Sequence, residues 1–186
     1  GSASGRRASP TVELRIGDEM FAQIRQHVED WRDGEQGAFV LCGHARAGET
    51  DVLLARTWER IPPSASDGTS GPLTHGLEWS PQFSAIMLGK ADRNSAALVL
   101  LHSHGGSTRP ALSTTDEESA RKLFPGFSRI LAGKPSGSVV LGAHAAAGVF
   151  WQDGRTYAEL NRVKVVGAPL QVWRPGHEQA EQLRPK

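Results

Sequence analysis

Cysteine is nearly absent. The chain of 186 residues has one, Cys42, which excludes a disulfide framework and a cysteine-rich zinc site within one chain and favours a reducing, cytoplasmic setting. Long apolar runs are absent too. The longest near-apolar stretch, Ser95–Leu101, falls far short of the roughly 20 residues needed to span a bilayer, so no membrane partner is expected. No apolar stretch follows Arg6 and Arg7, so a secretory leader is not expected. Charge of one sign is missing as well: 21 Lys+Arg stand against 20 Asp+Glu, a net of +1. That balance gives no basic field for nucleic acid and no acidic excess of the kind that keeps a chain unfolded. What remains is an ordinary globular composition, 38% apolar, in a chain long enough for one substantial core.

Residues 1–10 read as a flexible or added lead, 11–174 as a single domain, and 175–186 as a polar tail. Thr11–Ile16 alternates Val12, Leu14 and Ile16, the period of a strand. Glu19–Arg32 places Met20, Phe21, Ile24, Val28 and Trp31 at helical spacing, with Asp18 as expected N-cap. Ala38–Cys42 and Asp51–Glu59 read as strands, Pro62–Pro72 as an exposed loop, and Leu73–Trp79 as a further strand. Ser80-Pro81 opens a helix whose buried face is Phe83, Ile86, Met87 and Ala91. Ala96–Leu101 is a buried strand. Ser113–Phe124 reads as a helix stopped by Pro125-Gly126, and Phe127–Leu131 as a strand after it. Ser138–Gly142, Ala147–Gln152, Val163–Val166 and Leu170–Trp173 complete the strands. This order predicts an α/β domain with a mixed sheet and helices packed on it.

The chemistry gathers around His102-Ser103-His104, at the end of the Ala96–Leu101 strand. Positions i and i+2 of a strand face one way, so both imidazoles can reach one metal ion. Asp116, in the first turn of the next helix, is a candidate third ligand. Two His, one Asp and a water make a catalytic zinc shell. Glu35, just before the Ala38–Cys42 strand, is the candidate general base. The Ser113 hydroxyl can donate to a developing oxyanion. Each piece also has a plainer reading. His-x-His is commonly two unrelated histidines, Ser113-Thr114-Thr115-Asp116 has the form of a capping box, and a carboxylate beside a turn is usually solvated.

Together, Glu35, His102-Ser103-His104 and Ser113-Thr114-Thr115-Asp116 resemble the JAMM (MPN+) zinc metalloprotease family, with its Glu, H-[ST]-H and S-x-x-D motif. The resemblance spans Val12–Trp151 and includes the apolar run after Glu35. It departs from the family in a spacer, Gly105–Leu112, one residue longer than usual, and in Gly105 where Pro is usual. The resemblance implies a cytidine-deaminase-like mixed sheet sandwiched by helices. It implies Zn2+ held by His102, His104 and Asp116, with Glu35 as base and Ser113 at the oxyanion. It also implies hydrolysis after the C-terminal glycine of a ubiquitin-like protein or its conjugates, with an E1-like adenylating enzyme as a pathway partner. Thr74, His75 and Trp79 are expected near the groove for the substrate tail. Two alternatives are a zinc peptidase that trims a sulfur-carrier precursor and a metal-free binding scaffold.

Overall fold

Apolar alternation in the first strand does more than the sequence pattern suggests, because this strand is paired along both edges. In the structure, a computed structural model describing residues 10–30, 32, 34–62, 77, 79–176 and 181–183, β1 (Thr11–Gly17) leads into α1 (Asp18–Val28). The hairpin β2 (Gly37–Ala47) and β3 (Thr50–Arg60), α2 (Pro81–Arg93), β4 (Ala97–Ser103) and α3 (Thr114–Ile130) follow. The chain ends in β5 (Ser136–Leu141), β6 (Ala146–Gln152), β7 (Thr156–Val166), β8 (Leu170–Trp173) and β9 (Glu181–Leu183). The strand order is β1-β3-β2-β4-β5-β6-β7, and β7 pairs back onto β1, closing a mixed barrel of seven strands; β8 and β9 extend from β7. The β1–β3, β1–β7 and β4–β5 pairs are parallel and the others antiparallel.

This closed barrel overturns the expected JAMM-type mixed sheet sandwiched by helices. The strand content is higher than foreseen, and the sheet has no open pair of edges to be layered between helices. The barrel interior is filled by Leu14, Val40, Val99, Val139, Phe150 and Val163, among others, together with Phe21, Ile24 and Val28 of α1. A second core lies outside the barrel, where Met87 and Ala91 of α2 and Phe124 and Phe127 of α3 cover Phe39, Leu98, Leu100 and Trp151. Alternation within β4 therefore divides its side chains, with Val99 and Leu101 pointing in and Leu98 and Leu100 pointing out. His102 continues the outward set.

Several local expectations change. Helix α1 stops at Val28 rather than Arg32, and its N-cap is Gly17, with Asp18 inside the first turn. Helix α3 runs through Pro125 and Gly126 to Ile130, absorbing the strand predicted at Phe127–Leu131. Pro and Gly inside a helix cost about 3 and 1 kcal/mol. Burial of Phe124, Phe127 and Leu131 along one helical stripe outweighs that cost. Ile86, expected in the core, is 54% exposed. Leu77 and Trp79 belong to no strand, and the rest of the predicted Leu73–Trp79 strand lies outside the described residues, as does the loop after Pro62. Within the expected polar tail, Glu181–Leu183 pairs with β8.

One charged cluster spans the seam that closes the barrel. Glu13 of β1 points outward yet is only 2% exposed. Its carboxylate accepts from Arg15 Nε at 2.5 Å and from Arg162 of β7, with Lys164 Nζ at 3.3 Å. Burial pushes the Glu13 carboxyl up, but the guanidinium groups of Arg15 and Arg162 and the Lys164 charge together hold it below its usual value. A depressed pKa makes this contribution complete above the unfolded value of ~4.3 and lost as pH falls through the lower folded value. Glu13→Gln is expected to cost about 2 kcal/mol at pH 7. In urea titrations the gap between wild type and variant should narrow as pH drops below ~4; a gap independent of pH would show that the cluster contributes no electrostatic stability.

Candidate metal centre

The ends of three elements meet on the outer surface of the barrel. β4 carries His102 and releases the chain into His104. β2 runs antiparallel to it, with Gly37 opposite His102, which brings Glu35 to the same end. α3 starts here and contributes Asp116 from its first turn. One potential ligand atom from each of Glu35, His102, His104 and Asp116 lies within 4.8 Å of all the others, an arrangement able to hold a metal ion.

The distances leave room for an ion. His102 Nε2 is 3.8 Å from Glu35 Oε1 and 3.7 Å from Asp116 Oδ1, too far for hydrogen bonds, while His104 Nε2 is 3.1 Å from Asp116 Oδ2. The two imidazole centroids are 5.1 Å apart. His102 Nε2 and Glu35 Oε1 are buried and have no hydrogen-bond partner. Each such orphaned atom costs on the order of 1–3 kcal/mol, and a cation among the four side chains would satisfy both. Imidazole and carboxylate donors in this mixture suit zinc and other divalent transition metals.

Asp116 is held by the helix start. Ser113 is the N-cap, and its hydroxyl accepts from Asp116 N at 3.1 Å and donates to Asp116 Oδ2 at 2.7 Å. Ser113 N also donates to Asp116 Oδ2, at 2.8 Å. This reciprocal capping box fixes one carboxylate oxygen and leaves Oδ1 toward His102. Capping and ligation are thus compatible roles of one S-x-x-D sequence. Burial raises the Asp116 carboxyl, but His102 and the two Ser113 donors outweigh it and hold it well below the usual carboxylate range. Glu35 shifts the other way. Its burial raises it, Asp116 adds to the rise, and the histidines offset only part.

The loop between His104 and Asp116 turns at Gly105. Its φ is +71°, which proline cannot adopt, and its N–H donates to Ser103 Oγ at 3.1 Å. Farther along, Ser107 O accepts from Ala143 N at 2.8 Å, and the loop lies close over Gly142. Strand pairing also supplies groups that the sequence did not single out. Ser138 of β5 places its hydroxyl 3.5 Å from His102 Nδ1. His27 of α1 donates to Gly37 O at 2.9 Å and secures the start of β2 beside Glu35. No local sequence signal marks either contact, because both depend on which strands become neighbours.

Of the expected groove residues, Thr74 and His75 lie outside the described residues. Trp79 is at the site, donating to Ser84 Oγ at 2.6 Å and meeting Phe39 edge-on at 5.4 Å between ring centroids. It borders a cavity of about 920 Å³ that opens from the four-residue cluster. Cys42 is buried in the barrel, and burial pushes its thiol far above the usual value, which removes it as a nucleophile.

No protein-family model matches the chain, and no curated protein matches it. Among solved structures, protein DSY2949 from Desulfitobacterium hafniense, determined in solution, aligns over 82% of this chain and 94% of its own at 10% identity and a TM-score of 0.40. A likeness at that level supports no argument about fold or function. Among the described residues, no helix is long and apolar enough to cross a membrane.

Proposed function

We propose that this chain is a zinc-dependent peptidase that hydrolyses the bond after the C-terminal glycine of a ubiquitin-like protein. The observation that supports it is the convergence of Glu35, His102, His104 and Asp116 within 4.8 Å, with two of their buried polar atoms unpartnered. The Glu, H-[ST]-H and S-x-x-D pattern shared with JAMM enzymes supports the choice of substrate bond; the family's fold does not enter the argument.

In this reading His102, His104 and Asp116 hold zinc, which when bound supplies a Lewis acid for the substrate carbonyl. Glu35 is the proton carrier. Its carboxylate takes a proton from the water that attacks the acyl carbon and returns it to the departing amine nitrogen as the C–N bond breaks. The Glu35 side chain is itself only 10% exposed, which limits competition from bulk water for that proton. Ser113 serves by positioning Asp116, since its hydroxyl proton is directed to Oδ2. Ser138 faces the far side of the His102 ring and restrains its rotation. An E1-like adenylating enzyme is a fitting pathway partner for an enzyme of this kind.

Elemental analysis after zinc loading and removal of excess is expected to give about one zinc per chain. His102→Ala and Asp116→Ala should each fall well below that. The loaded protein should release the downstream partner from a fusion made through a ubiquitin-like glycine tail. Failure to retain zinc would overturn the peptidase and favour a metal-free binding scaffold.

A further inference from the structure

The cavity beside the metal cluster is larger and more apolar than a glycine tail requires. It runs from Glu35 and His102 between β4 and the two helices α2 and α3, with a volume of about 920 Å³. Its far walls are Leu77, Trp79, Leu100, Leu123, Phe124 and Phe127. Among its described lining residues Glu35 and Asp116 are the only acidic groups, and none is a lysine or arginine. The walls are braced. Leu77 packs over Gly37 so closely that a Cβ there would lie 2.4 Å from Leu77 Cδ2. Trp79 is tied to Ser84, and Phe124 meets Phe127 edge-on at 5.4 Å.

A glycine on the acyl side brings no side chain to this chamber. The departing nitrogen must come within reach of Glu35, and the chamber continues from Glu35, so whatever is bonded to that nitrogen enters it. We propose that the preferred leaving group is the α-amine of a large apolar residue, so that the substrate is a linear Gly–Phe or Gly–Leu type peptide bond. A lysine ε-amine would instead bring only a thin methylene stem, which fills less of the chamber and buries less apolar surface than a Phe or Leu side chain. The proposal rests on the hydrolase reading above and narrows it from conjugate removal to processing of a linear precursor. Water oxygen joins the glycine carbonyl carbon, the C–N bond breaks, and the proton carried by Glu35 goes to the α-nitrogen. The products are a glycine carboxylate and a peptide beginning with the apolar residue.

The test uses the zinc-loaded full chain and the peptides acetyl-Gly-Gly-X-amide with X as Phe, Leu or Ser, beside acetyl-Gly-Gly joined to a lysine ε-amine. For Phe and Leu, kcat/KM is expected to exceed that for Ser and for the isopeptide by about tenfold or more. Leu123→Trp, which fills the chamber from α3, should bring the Phe-to-Ser ratio near one while zinc content persists. Ser119→Phe, from an exposed lining position, is a second filling variant that spares the core. A readout without turnover accompanies these. Tryptophan fluorescence of the metal-free chain should report phenylalaninamide binding about tenfold tighter than serinamide, a difference that Leu123→Trp removes. Equal rates for every X, or preference for the isopeptide, would overturn the proposal and leave the hydrolase standing. Selective binding of phenylalaninamide without cleavage of any peptide would support the pocket and overturn the hydrolase. Neither cleavage nor selective binding would overturn both.

Discussion

Glu35→Gln is expected to lower kcat on a glycine-tail fusion by about 10²–10⁴-fold while zinc content and KM stay near wild type. The side chain keeps its shape and loses only the ability to accept and return a proton. Its position supports that expectation. The carboxylate is nearly buried, 3.8 Å from His102, and one oxygen has no hydrogen-bond partner. Initial rates together with elemental analysis decide the matter. Loss of activity with zinc retained would identify Glu35 as the proton carrier. Loss of zinc along with activity would make it a ligand and require another base.

Gly137→Ala should be the most damaging small substitution in the barrel. Gly137 of β5 faces Phe150 of β6, and a Cβ there would lie 2.0 Å from Val149 O and 2.8 Å from the Phe150 backbone. These are main-chain atoms of a paired strand and cannot rotate aside, so the two strands must separate. A cost of about 3 kcal/mol follows, or a fall of roughly 6–12 °C in Tm for a domain of this size. Gly126→Ala should do the reverse. Nothing lies within 4 Å of a Cβ at that position, which is inside α3. Replacing a helical glycine should raise stability by about 0.5–1 kcal/mol. Calorimetry on the pair checks both signs, and an unchanged Tm for Gly137→Ala would refute the close strand approach.

The candidate centre was far more legible in the sequence than the fold around it. His102 and His104 share a strand end, and Ser113 and Asp116 share a helix turn. Their relations are local, so spacing alone puts the members of each pair side by side. Glu35 became placeable once the Ala38–Cys42 run was set beside the strand carrying His102. The barrel was hidden because its closure depends on β1 pairing in parallel with both β3 and β7. Alternation of Val12, Leu14 and Ile16 reports a buried face and is silent about which strands lie at the edges. Pro125-Gly126 misled in the opposite direction. These residues punctuate locally, while the aromatic stripe of Phe124 and Phe127 against the sheet decides where the helix ends.

The position of β1 between β3 and β7 has a consequence for how the chain reaches this structure. Thr11 pairs with Glu159, and Val12 with Leu160, so almost the whole sequence must be present before the barrel can close. Until then the first strand has a partner on one side only, and the nascent sheet presents an open edge. Contacts of such long sequence separation form late and slowly, because the loop entropy is spent before the pairing repays it. The local pairs of the candidate site, His102 with His104 and Ser113 with Asp116, make no such demand. The part of the molecule that reads most simply in sequence can therefore form early, while the wall behind it is completed last.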